Sequence, residues 1–223
     1  MLKGVVVKFG RYKGQAVVEA LLALPLLLFI SFAVLQILWL IWAQQMLQVA
    51  SAQAARSAAL QQGQVAVAEA ELAAAMLGVE PQALASMRSG ATVELGRAYL
   101  QQRLWVKQIA ALKIMEFGEA ERQLAVTKDK QRVIPWSHLP LRYQLSTQPE
   151  LEQRARTLTL RIRWCQPLRL PLIGTFFSWV AAQSKHPAQR FCRARQQLVG
   201  IPLWGLQHQV SSPMLSDRLV LPE

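Results

Sequence analysis

Apolar and polar positions divide the chain into one long uncharged run followed by shorter periodic stretches. From Ala20 to Ala43 there is no charged residue, and only Ser31 and Gln36 are clearly polar. A helix of that length is roughly 36 Å long, enough to cross a hydrocarbon core of roughly 30 Å. No later stretch approaches it, so the pattern predicts one transmembrane helix. Gln44 to Gln62 is rich in Ala and Gln and meets no helix breaker before Gly63. The helix is therefore expected to run on past the membrane, for roughly 70 Å from Ala16. Ala50, Ala54, Ala55, Ala58 and Ala59 lay a small-residue stripe along it. Such a stripe suits close approach of a partner helix or of the chain's own domain.

Downstream the periods are shorter. Gln64 to Leu77 predicts a second Ala-rich helix, with Gly78 and Pro81 as stop signals, and Pro81 to Met87 a further turn of helix. Val93 to Trp105 reads as a helix on the spacing of Leu95, Tyr99, Leu100 and Leu104, although Gly96 weakens it. Lys107 to Met115 is read as a strand and Phe117 to Val126 as a short helix. The alternation of Leu158, Leu160, Ile162 and Trp164 with Thr157, Thr159, Arg161 and Arg163 predicts a half-buried strand with both arginines outward. A second strand is expected from about Gln197 to Ser211, with Pro202 at an edge or bulge. Leu170 to Ala182 reads as a turn into a short helix. The expected fold class is α+β: a long N-terminal transmembrane helix extending into a domain of helices and a small antiparallel sheet. Its divisions are a basic leader over 1–14, the helix and its extension over 15–62, and the domain over 63–223.

Charge gives the orientation. Lys3, Lys8, Arg11 and Lys13 precede the span, with no acid before Glu19. Basic flanks are retained on the cytoplasmic side, so the N-terminus is expected inside a bacterial inner membrane and the domain outside, in the periplasm or beyond. Outside the leader the chain carries 21 Lys and Arg against 13 Asp and Glu, a net charge of +8. A basic excess of this kind fits a nucleic-acid binder, but the expected anchor turns the domain away from the cytoplasm. Arg161, Arg163, Arg169, Arg190, Arg193 and Arg195 read either as surface charges or as a patch for an acidic partner. The only two cysteines, Cys165 and Cys192, would lie where disulfides persist. They admit one intrachain pairing, whose loop closure would contribute roughly 3–4 kcal/mol; two buried free thiols are the alternative.

The most informative string is Lys13 to Pro25, KGQAVVEALLALP. Glu19 stands at the edge of the uncharged run, where a carboxylate costs roughly 2.5–3.5 kcal/mol on insertion scales unless it snorkels or pairs. Gly14-Gln15-Ala16-Val17-Val18-Glu19 resembles the site cut by prepilin peptidases, and the continuation through Pro25 to Ala54-Ala55-Arg56 resembles the TadE/TadG-like minor pseudopilins of tight-adherence (Flp) pili. Further on, Arg142-Tyr143, the strand from Leu158 to Trp164, Leu170 to Gly174 and Gln209 to Met214 are similar to longer TadE-like assembly proteins. Ala20, Gln36 and Ala52-Gln53 depart from the family's usual residues. The resemblance implies cleavage between Gly14 and Gln15, and pairing of Glu19 with the new α-amino group of Gln15 on a neighbouring subunit. It also implies prepilin peptidase, other pilins or pseudopilins and pilus assembly proteins as partners. An uncleaved signal anchor and a secretory signal cut after Ala50-Ser51-Ala52 are the competing readings. Pro25 removes one helical hydrogen bond inside the span; it is either a kink or a tolerated membrane proline.

Sites for chemistry are sparse. No G-x-S-x-G, Walker-type loop, H-E-x-x-H or C-x-x-C occurs, and His138, His186 and His208 lack metal-like spacing. Glu69, Glu71, Glu116, Glu119 and Glu121 read as solvating helix faces. The expectation is a protein without catalysis, cofactor, metal or nucleic acid, acting in pilus assembly. A signal-anchored binding module or enzyme that never enters a filament is the alternative.

Overall fold

A computed structural model describes residues 13–90, 92–115, 124–128, 131–136 and 147–219. Helix α1 spans Lys13–Leu60, 48 residues without a break, so it is about 72 Å long. It stops in a turn where Gly63 donates its N–H to the Ala58 carbonyl at 2.8 Å and Gln62 takes a positive φ of 58°. This six-to-one bond closes the last turn in the manner of a Schellman cap, with glutamine in the left-handed position that glycine usually fills. The chain then doubles back as α2, Val65–Met76, and a 3-10 turn at Leu77–Val79. Helices α3 (Pro81–Ser89) and α4 (Thr92–Ile109) follow.

The central sheet has the order β1-β4-β5, all antiparallel, with β1 at Ala110–Ile114, β4 at Thr157–Pro167 and β5 at Leu203–Pro213. Helix α5, Pro149–Ala155, leads into β4. Between β4 and β5 lie two helices, α6 at Pro171–Gln183 and α7 at Pro187–Val199. A second small sheet, in the order β2-β3-β6, is formed by Val126–Lys128, Gln131–Ile134 and Arg218–Leu219. Arg218 connects it to the main sheet: its Nη1 donates to the Thr157 carbonyl at 2.9 Å, and the side chain is buried. The architecture is α+β as the pattern implied, with two small antiparallel sheets rather than one.

The core is built on the far half of α1. Ala43, Leu47, Ala50, Ala54, Ala55, Ala58 and Ala59 are fully buried and cluster with Leu72, Met76, Leu158, Leu160 and Ile162. The alanine stripe is thus filled by the chain's own α2, β4 and β5. In β4 the alternation holds: Leu158, Leu160, Ile162 and Trp164 are buried, while Arg161 and Arg163 are half-exposed.

Three local expectations change. In α4, Leu100 and Leu104 are exposed, and the inward face carries Gln102, Val106 and Ile109. The apolar stripe at Leu100 loses because neighbours cover the opposite face. The stretch Gln197–Val199 ends α7 instead of starting a strand; Gly200 closes it at φ 73°, and Pro202 precedes β5. Lys107 to Ile109 likewise stays helical before β1 begins. Most of the expected helix over Phe117 to Val126 lies outside the described residues, but Val126 itself starts β2.

Candidate functional site

Three features carry the functional argument: the lipid-length part of α1, the disulfide-clamped corner of the sheet, and a groove on the domain.

Gly14 and Gln15 lie in the first turns of α1, Glu19 one turn beyond Gln15 is exposed, and Pro25 is inside the helix. Helical assignment continues on both sides of Pro25, so the missing N–H does not end the helix. Residues 18–32 are all exposed, although Phe29 touches a ring of α6, and Ser31 satisfies its hydroxyl on the Leu27 carbonyl at 2.8 Å. From there one face becomes covered: Ala33 is half-buried, and Gln36, Leu40, Ala43, Leu47, Ala50 and Ala54 are buried at spacings of three and four. Cutting the chain after Ala52 would remove Leu47 and Ala50 from the hydrophobic cluster, so the secretory-signal reading conflicts with the packing.

Cys165 and Cys192 form a disulfide, with Cα atoms 5.4 Å apart, and both are fully buried. The bond fastens α7 to the C-terminal end of β4. Beside it, Gln189 brackets the outer edge of β5: its Oε1 accepts from the Gly205 N–H at 2.9 Å and its Nε2 donates to the Gly205 carbonyl at 3.2 Å. The side-chain amide thus occupies the groups that an edge strand would otherwise present to another chain. Sequence reasoning found the cysteines but not Gln189, because the pairing depends on a turn of chain between α7 and β5.

The arginines flanking the disulfide do not form one open patch. Arg169 pairs with Glu80, Arg161 donates to Gln209, Arg193 donates to the Ala182 carbonyl, and Arg195 lies over the Phe191 ring. Of the histidines in described residues, His186 caps α7 by accepting from the Ala188 N–H, and His208 stands opposite Ile162 in the sheet; His138 lies outside the described residues. Glu71 is exposed and Glu69 half-buried on α2, while Glu116, Glu119 and Glu121 lie outside the described residues. Among the described residues no group of three or more His, Cys, Asp or Glu could hold a metal ion.

The groove, about 540 Å³, lies between α4 and the loops flanking the sheet, lined by Leu77, Gln102, Trp105, Leu168 and Ile201, with the Glu80–Arg169 pair at its side. The Nε2 of Gln102 is buried there without a hydrogen-bond partner.

A helix of membrane-crossing length, the one such helix among the described residues, fused without a joint to a disulfide-clamped α+β domain, is the class that this geometry defines. The family model described as TadE-like protein matches residues 14–56, from Gly14 through the apolar run to Arg56. This agrees with the resemblance carried by the residues over the same segment. No curated protein and no solved structure matches the chain.

Proposed function

We propose that this protein is a non-catalytic minor pseudopilin or pilus assembly protein of a tight-adherence pilus or related secretion system. In this reading the N-terminus is cytoplasmic, α1 crosses the inner membrane, and the domain stands outside the cytoplasm. A prepilin peptidase removes the first 14 residues, and α1 then docks beside other pilin helices. The observation that carries the reading is the extent of the TadE-like match. It starts at Gly14, the proposed scissile residue, and ends at Arg56 in the alanine stripe, so it follows α1 and stops before α2 and the sheets.

Glycine suits the scissile position because a peptidase must bring its catalytic groups close to the backbone, where a Cβ would obstruct them. Gly14→Val is therefore expected to leave a full-length protein, while the wild type starts at Gln15. N-terminal sequencing of membrane-extracted protein, from a host with active prepilin peptidase, reads the outcome; a wild-type start at Met1 defeats the processing step. Glu19 acts afterwards, its carboxylate pairing with the α-amino group of Gln15 on the next subunit. Glu19→Leu makes the span more apolar, so insertion persists. Assembly should fail, because the partner amine is left without its counter-charge in lipid. Normal piliation with Glu19→Leu would remove that role.

The competing reading is a signal-anchored binding module, and the groove with the unpartnered Gln102 amide is the observation on its side. A start at Met1 together with normal piliation in a deletion strain would favour it.

A further inference from the structure

Helix α6 is apolar on the wrong side for a helix facing water. It has no charged residue over Pro171–Gln183, and Leu172, Phe176, Trp179 and Val180 are 79%, 46%, 62% and 39% exposed. These positions recur at four, three and one residues, so they form a single stripe. The opposite face, with Ile173 buried and Phe177 half-buried against Trp204, already seats the helix on the domain. The outward stripe is thus in addition to the face that folding needs.

Its position along α1 identifies what covers it. The Phe176 ring meets Phe29 edge to face, with centroids 6.0 Å apart. Phe29 lies within the uncharged run of α1. The uncharged run continues past Phe29 to Ala43, so a bilayer placed around that run also reaches α6. Amphipathic helices at a membrane interface bury such an apolar face in lipid. Cations follow the apolar stripe: Arg193 donates to the Ala182 carbonyl at the end of α6, and Lys185 and Arg190 are exposed just beyond. Trp179 is the kind of residue that settles at a lipid–water boundary.

We infer that α6 is a second membrane contact: its Leu172–Phe176–Trp179–Val180 face enters the leaflet on the domain's side, beside α1, with basic residues at the phosphates. This rests on the reading that α1 spans the bilayer. The partner is lipid with an anionic fraction. The domain is thereby seated on the bilayer instead of being held away from it on a stalk.

The test uses the full chain in vesicles of phosphatidylethanolamine and phosphatidylglycerol. Because both native cysteines are in the disulfide, a nitroxide can be attached to single introduced thiols without reductant. The sites are Trp179→Cys and Leu172→Cys on α6, Leu27→Cys in the span, and Gln61→Cys at the far tip of α1, roughly 27 Å beyond the end of the uncharged run at Ala43. The α6 labels are expected to behave like the Leu27 label, colliding several-fold more with oxygen and several-fold less with a water-soluble nickel chelate than the Gln61 label. If both α6 labels match Gln61 while Leu27 is in lipid, the span stands and the inference is overturned. If they are shielded from both reagents, protein covers the face, as a second copy would, and the inference is again overturned. A Leu27 label in water would remove the span and this contact together.

Discussion

At the scale of a residue, Gly205 is the position where the fold leaves least room. A Cβ there would sit 2.5 Å from the Ala188 carbonyl carbon and oxygen and 2.8 Å from the Gln189 nitrogen, all backbone atoms that cannot swing aside. The close approach is what lets the Gln189 side chain reach both peptide groups of Gly205. Gly205→Ala should therefore destabilise the protein by at least about 1–3 kcal/mol, the usual cost of overpacking, and weaken the cover on the β5 edge. Thermal unfolding of the detergent-solubilised protein checks this; an unchanged midpoint would mean that α7 can retreat without cost. Nothing in the sequence marks this glycine, since the crowding comes from a helix that begins 18 residues earlier. The cysteines were legible for the opposite reason, because two thiols in one chain leave a single pairing to consider.

At the scale of an element, legibility followed the range of the forces involved. The span and β4 were readable because absence of charge and a period of two are local properties. The inward face of α4 was not, because burial there is decided by what packs against the helix, and that face includes Gln102. The strand expected from about Gln197 runs through Gly200 and Pro202, the ordinary stop signals at which α7 ends. The second sheet is made of strands of two to four residues, too short to show a period. The alanine stripe on α1 tests the packing directly. Ala54 is fully buried among core residues, whereas Gln53 is exposed. Ala54→Leu is expected to cost about 1–3 kcal/mol through overpacking, and Gln53→Leu to stay within about 0.5 kcal/mol. Equal effects in thermal unfolding would mean that the stripe faces a partner and not the chain's own core.

At the scale of the whole molecule, the anchor and the domain share one core, so the boundary between them is chemical and not mechanical. Exposed apolar residues occupy the first half of α1, and the second half supplies Leu47 and the buried alanines to the cluster that holds α2, β4 and β5. The sequence made the helix's length evident, but not that the domain folds down as far as Phe29, which depends on a contact with Phe176 far along the chain. A helix without a joint behaves as a drive shaft, so the azimuth of the domain is geared to that of Glu19. Each residue inserted between Leu22 and Ala23 would turn the domain by about 100° relative to the carboxylate and raise it by about 1.5 Å. Two inserted alanines would leave the domain about 160° out of phase, and four only about 40°. If α1 docks into a filament through its leader end, incorporation should fall with two insertions and recover in part with four, as measured by the fraction of protein in sheared pili. A loss that grows steadily with inserted length would instead mean that the shaft yields, and that the domain takes its bearing from its neighbours.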